Sequence, residues 1–273
     1  MKLLPTAQLP LFETIEIETQ NVCTRTCWFC KWGQLREEEP LTRMSWEMIE
    51  KILHDLAQLK FSGRLSWYGT NEALSDKRIF DILKLSRERV PTAKLVLTSN
   101  GDLVSQEVYD RLIASGLDRL GISIYDQRTY DRVIKIKGDK LTLMNMMDPR
   151  FEERMIVNRA GNIEVKKHAP QLEQVKQLKY YKENCQRPSS GMWVRPNGDV
   201  ALCCEDTYGD VVFDNVMNAS LEDIWFNNSK LNDYRNKLAA SGRKGLPLCE
   251  NCSHKGGKNS KDWLDTDHPL RIR

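Results

Sequence analysis

Apolar and polar positions alternate from Thr14 to Thr19 (TIEIET), the two-residue period of a half-buried strand. The period then changes. From Ser45 to Leu59 apolar side chains recur at helical spacing (Trp46, Ile49, Ile52, Leu53, Leu56, Leu59), with Ser45 placed as N-cap. Arg64 to Tyr68 predicts a second strand, closed by a turn at Gly69-Thr70-Asn71-Glu72. A helix over 77–89 stops before Pro91, and the strand Lys94 to Thr98 runs into a turn at Asn100-Gly101. Ser105 caps a helix through Ala114 that Gly116 ends, and Arg119 to Tyr125 (RLGISIY) is a further strand. This alternation predicts βα units with parallel strands. Gln127 to Arg154 gives no clear assignment. Its methionines Met144, Met146 and Met147, with Met155 just beyond, are read as core, with pocket lining as the alternative.

After about Arg159 the pattern is different. Two short apolar runs, Met192 to Arg195 and Asp199 to Leu202, flank Pro196-Asn197-Gly198 and predict a β-hairpin. Ser220 and Asp223 form a capping box ahead of Leu221, Ile224 and Trp225, and a second helix is expected over 229–240. Gly242 to Pro247 leads into Cys249-Glu250-Asn251-Cys252. The expected organisation is therefore residues 1–160, then 161–256, then a polar tail over 257–273 expected to be mobile.

Composition narrows the class. The chain has 273 residues, enough for one or two domains with a sizeable core. Its 41 basic and 38 acidic residues leave a formal charge of +3, no electrostatic footprint for nucleic acid or an anionic membrane. Mean hydropathy is −0.54, and apolar stretches such as Leu95 to Leu97 are far too short to span a bilayer. Pro5 and Pro10 interrupt the N-terminal stretch, so no signal peptide is read and a cytoplasmic location is expected. In that compartment the eight cysteines are not a disulfide framework. Three lie at Cys23, Cys27 and Cys30 and five after residue 184, a clustering that points to metal or iron–sulfur ligation over scattered buried thiols.

Cys23-x3-Cys27-x2-Cys30 offers three thiolates on one tight loop after the first strand. A [4Fe–4S] cube needs a ligand at each iron, so three leave one iron open to a small molecule carrying an amine and a carboxylate. The alternative, a zinc knuckle short of a ligand, lacks a nearby histidine. In this spacing the chain resembles the radical S-adenosylmethionine (SAM) superfamily. The resemblance implies a partial (β/α)6 TIM-like barrel over 1–160, with the SAM-binding cluster at the C-terminal mouth of its strands. It implies Phe29 near the adenine and Gly69, Asn71 and Glu72 as the loop that meets the SAM ammonium, here without the usual second glycine. Ser99 and Asn100 would bind ribose or carboxylate oxygens, and Ser123 and Tyr125 would face cofactor or substrate.

The later cysteines, Cys185, Cys203, Cys249 and Cys252, resemble a twitch domain, the shortened relative of the SPASM domain. That implies one auxiliary [4Fe–4S] cluster with complete thiolate ligation, suited to passing electrons; a structural Zn(Cys)4 site is the alternative. Cys204 is spare. Beside Cys203 it should point to the opposite hairpin face, as a buried thiol, an alternative ligand or a hydrogen-atom donor.

CTRTCWFC, WYGTNEAL, LTSNGD, VNRAGNI, PNGDVALCCED, SLEDIWFN and LCENC together resemble the twitch-containing dehydrogenases that oxidise an aminocyclitol of the 2-deoxy-scyllo-inosamine type in antibiotic biosynthesis. This implies a 5′-deoxyadenosyl radical that abstracts a carbinol hydrogen, an auxiliary cluster that accepts an electron, and a ketone product. Arg159 would hydrogen-bond the reacting hydroxyl, with Tyr68, Tyr125, Gln127, Glu205 and Asp206 as further pocket candidates. The implied partners are a cyclitol or sugar alcohol, or a peptide, and a flavodoxin- or ferredoxin-type reductant. About a dozen residues precede the first strand, too few for a leader-binding domain, which favours the small substrate. The competing readings are a peptide maturase, an epimerase using Cys204, and a non-catalytic zinc-binding scaffold.

Overall fold

In the computed structural model, residues 9–31, 40–150, 157–168, 184–257 and 271–272 are described. Their strands form one eight-stranded sheet in the order β5-β4-β3-β2-β1-β6-β7-β8. The strands are β1 (Thr14–Ile17), β2 (Arg64–Ser66), β3 (Lys94–Ser99), β4 (Arg119–Ile124), β5 (Leu141–Asn145), β6 (Gly191–Val194), β7 (Asp199–Ala201) and β8 (Val212–Asn215). All neighbours from β5 to β6 pair parallel. Parallel strands put every C-terminal end at one edge, and that edge carries the site.

The helices form where their apolar spacing allows one face to be buried. In α1 (Trp46–Gln58) Ile49, Ile52, Leu53 and Leu56 are buried, and the Ser45 hydroxyl accepts from Met48 N at 3.1 Å. In α2 (Ile79–Arg89) Ile79, Ile82 and Leu83 are buried, and Trp67 Nε1 donates to Ser86 Oγ at 2.8 Å. Ser105 caps α3 (Gln106–Ala114), and Asp126 caps α4 (Gln127–Val133). Thus the stretch that resisted assignment holds α4 and β5. Both are short: α4 is mostly polar, and β5 (LTLMN) lacks a sharp alternation. Met144 and Met146 are core as expected, in a small cluster with Val96, Ile163 and Val165 beneath Trp28, Phe29 and Tyr125. Met147 is exposed instead, at the turn after β5, and Met155 lies outside the described residues.

The expected hairpin joins β6 to β7 through Gly198, whose φ of 89° needs a residue without Cβ. Its first strand does not stand apart. β6 pairs parallel with β1, Glu16 opposite Trp193, so the hairpin continues the sheet of the first half. Three further helices follow: α5 (Leu221–Phe226), α6 (Ser229–Ser241) and α7 (Pro247–Glu250). Ser220 accepts from Asp223 N at 3.0 Å and donates to its carboxylate at 2.7 Å, the predicted capping box. Trp225 of α5 is buried edge-on against Phe12, 5.2 Å between ring centroids, and ties this helix to the start of the chain. Of the tail, Arg271 and Ile272 run beside β5, with Ile272 N donating to Leu143 O at 2.9 Å. An edge strand offers unpaired backbone groups, and Ile272 takes one of them.

Candidate active site

A cleft of about 250 Å³ opens at the C-terminal edge of the sheet. Cys23, Cys27 and Cys30 line it, on the loop after β1. Arg25 fixes that loop. Its guanidinium binds Asp102 beyond β3 (Nε to Oδ2, 2.9 Å) and Asp126 beyond β4 (Nη2 to Oδ2, 2.5 Å), with Thr129 Oγ1 at 3.0 Å. Asn100 Nδ2 donates to Thr24 Oγ1 at 2.9 Å and lies 3.8 Å from Cys23 Sγ. Burial pushes the Cys23 thiol up to about 11, so the free side chain is protonated at neutral pH and a bound metal would be needed to hold it as thiolate.

The loop after β2 supplies the next wall. Thr70 N and Oγ1 both donate to Glu18 Oε1 at 2.6 Å, and Gly69 N donates to Asn71 Oδ1 at 2.8 Å. A Cβ on Gly69 would fall 2.5 Å from both Glu18 Cγ and Trp193 Cη2, so only glycine fits. Asn71 Nδ2 is buried with no partner among the described residues, a free donor in the wall of the cleft suited to a ligand carboxylate. Glu72 turns inward: its carboxylate accepts from Ser99 Oγ and Asn100 N at 2.9 Å and from Leu74 N at 3.2 Å. It therefore builds the junction between the β2 and β3 loops. Phe29 and Tyr125 stack at 5.6 Å as a tilted pair, and with Ser99, Asn100 and Ser123 they complete the expected wall.

The far side of the cleft holds Tyr68, Arg159, Trp193 and Cys204. Arg159 and Ala160 have φ of 46° and 55°, a left-handed turn that non-glycine residues adopt at a cost of about 1 kcal/mol or more each. Asn158 fastens that turn to the loop of Cys249 and Cys252. Its backbone N donates to Ser253 Oγ (2.8 Å), its Oδ1 accepts from Ser253 N (2.9 Å) and its Nδ2 donates to Asn251 O (2.6 Å). Arg159 Nη1 in turn donates to Glu205 Oε2 at 3.2 Å. Burial opposes the Glu205 charge, but Arg159, with His254 and Arg187, overcomes it and holds the carboxyl down at about 2.

A second, tighter cavity lies behind this wall and is lined by Cys185, Cys203, Cys249 and Cys252. Burial raises Cys203 well above the thiol range and pushes Cys249 to about 12 and Cys252 to about 11. Among the described residues no three His, Cys, Asp or Glu side chains converge tightly enough for a single ion. The four cysteines nevertheless line one cavity, a donor set that could hold an iron–sulfur cluster or Zn(Cys)4. Arg243, 1% exposed, lines the same cavity with no carboxylate partner among the described residues. Such a buried cation calls for an anionic occupant. Cys204 lines the cleft instead; β7 ends at Ala201, so the two cysteines are parted by the turn that follows the strand and not, as expected, by alternation along it.

Not every candidate reaches the cleft. Gln127 sits at the first position of α4, exposed, donating to Asp131 Oδ1 at 2.7 Å; the Asp126 cap directs it to solvent. Asp206 is fully buried at the second cavity and accepts from Asp210 N (2.8 Å) and Val211 N (3.0 Å), so it shapes a loop there. Glu205 lines the second cavity and reaches the cleft through Arg159. Sequence reasoning missed Arg25, Trp193 and Glu16; Glu16 lines the cleft floor and pairs with Arg64 at 2.7 Å. The inward phase of β1 is the signal that could have found Glu16.

Comparisons with known proteins agree with this layout. Residues 17–143 match the radical SAM superfamily, and residues 185–253 match SPASM, an iron–sulfur cluster-binding domain. The S-adenosyl-L-methionine-dependent 2-deoxy-scyllo-inosamine dehydrogenase of Niallia circulans is 24% identical over 250 residues, covering 89% of this chain and 94% of that protein. The crystal structure of BtrN in complex with AdoMet and 2-DOIA superposes with a TM-score of 0.78 at 23% identity, over 93% of this chain and 99% of BtrN. Native anSMEcpe with bound AdoMet gives 0.57 at 12% identity, over 92% of each chain. No described helix is long and apolar enough to cross a membrane. The chain is a radical SAM enzyme, its residues 17–143 belonging to the radical SAM superfamily and 185–253 to the SPASM iron–sulfur cluster-binding family.

Proposed function

We propose that this enzyme oxidises a carbinol of an aminocyclitol or sugar alcohol to a ketone, using two [4Fe–4S] clusters. The observation that carries the reading is the shared wall: Arg159 faces the cleft while its partner Glu205 faces the four-cysteine cavity. Cys23, Cys27 and Cys30 would hold the SAM-binding cluster and Cys185, Cys203, Cys249 and Cys252 the auxiliary one. When bound, SAM supplies a radical that takes the carbinol hydrogen atom, and the auxiliary cluster takes the remaining electron. Asn71, Ser99, Asn100 and Ser123 offer polar groups to SAM, and Phe29 an aromatic face. Arg159, kept charged by Glu205, is suited to the substrate hydroxyl as its proton leaves. Tyr68, Tyr125 and Glu16 line the remaining floor, Glu16 giving a carboxylate for a substrate amine. The product has lost one hydrogen atom, one proton and one electron; a flavodoxin- or ferredoxin-type protein supplies the electron that starts each turnover. The likeness to a named aminocyclitol dehydrogenase supports this substrate class.

Cys204 in the cleft favours a second reading, an epimerase in which its S–H returns a hydrogen atom. One experiment separates them. Anaerobically reconstituted protein, dithionite and SAM are assayed for 5′-deoxyadenosine and oxidised product against aminocyclitols, sugar alcohols and peptides. The dehydrogenase reading expects ketone from a cyclitol, with Cys204→Ala retaining most activity. Solvent deuterium entering an unoxidised product, lost in Cys204→Ala, would establish the epimerase instead.

A further inference from the structure

Arg243 is among the most buried charged residues of the chain, and the reaction outlined above gives it no task. It follows α6 directly after Gly242, whose φ of 67° ends the helix and turns the chain inward. Its Nη1 donates to Cys252 O at 2.8 Å. Nε and Nη2 are buried and have no partner among the described residues. A Cβ on Gly256 would lie 2.5 Å from Arg243 Nη2 and 2.9 Å from Cys185 Sγ, so glycine there lets the guanidinium sit close to a ligand sulfur. Arg187 lines the same cavity, but its charge is shared with Glu205, 3.9 Å away.

We propose that Arg243 raises the reduction potential of the auxiliary cluster by turning its two unused N–H-bearing nitrogens toward the cluster sulfurs. This rests on reading the four cysteines as iron–sulfur ligands. A cube held by four thiolates is an anion, and one-electron reduction adds a further negative charge with no proton. A fixed cation and its N–H donors stabilise the reduced form more than the oxidised form. Arg243 thereby makes the cluster a better acceptor for the electron leaving the substrate.

The test uses the full chain with Cys23, Cys27 and Cys30 changed to alanine, reconstituted anaerobically so that only the auxiliary cluster forms. Its midpoint is read by EPR-monitored redox titration. Arg243→Gln should lower the reduced-to-oxidised ratio at a fixed potential at least tenfold, a 59 mV negative shift for one electron. Arg243→Lys, which keeps charge and loses the fork, should fall between. In protein labelled with ¹⁵N-arginine, the reduced cluster should show ¹⁵N hyperfine coupling that Arg243→Lys removes and Arg187→Lys keeps. An unchanged midpoint in Arg243→Gln, or no such coupling in the parent, overturns the inference. If Arg243→Gln fails to load iron, Arg243→Lys and the coupling decide. A parent that takes up zinc, or no iron, overturns the cluster reading itself and this inference with it.

Discussion

At the scale of single residues, the site depends on atoms that only one side chain can provide. Gly69 is the sharpest case, because any Cβ collides with Glu18 and Trp193. Gly69→Ala should weaken SAM binding at least tenfold, about 1.4 kcal/mol, while auxiliary iron stays unchanged. Anaerobic equilibrium dialysis with labelled SAM measures it, and wild-type affinity would remove Gly69 from the SAM wall. The grouping of the cysteines was legible, because ligand spacing is a local property. Asn71 does line the cleft, but with a free donor where an acceptor for an ammonium was expected, and Cys204 parts from Cys203 in a turn past the end of β7. Arg25 and Glu16 were not. Arg25 acts through Asp102 and Asp126, 77 and 101 residues away, and no local pattern announces such partners. Gln127 failed for a related reason: nearness in sequence to Tyr125 does not survive the start of a helix.

At the scale of elements, the loop after β1 is stapled to the ends of β3 and β4. The Arg25 side chain is 19% exposed and that of Asp102 27%, so solvent screens the pair only in part. Asp102→Asn should cost about 1 kcal/mol of stability. Its larger effect should fall on the first cluster: iron there drops and SAM cleavage slows at least tenfold, with the auxiliary EPR signal intact. Mössbauer spectra of both proteins would show this, and full loading of both sites would refute the staple. Helices with strong caps and apolar stripes, and the Asn197-Gly198 hairpin, were readable from sequence. The α4 and β5 segments were not, being short and held by their neighbours more than by their own periodicity.

At the scale of the whole molecule, one sheet carries both cysteine sites. The parallel pairing of β6 with β1 could not be read from the hairpin's own sequence, because it joins segments separated along the chain by β2 to β5. The four-cysteine cavity holds an arginine without a carboxylate partner among the described residues and thiols with raised pKa, so its contents bear on folding. Stripping iron with a chelator under argon should lower Tm by several degrees, roughly 1–2 kcal/mol for a chain of this size. Calorimetry of stripped and reloaded protein measures it; identical melting would mean the cavity is stable without its cluster.

Cys203 and Cys204 face opposite sides of one backbone step, the first into the rear cavity and the second into the cleft. A single peptide unit thus limits how far these two sulfur-bearing side chains can move apart, whatever motion the entrance to the cleft undergoes.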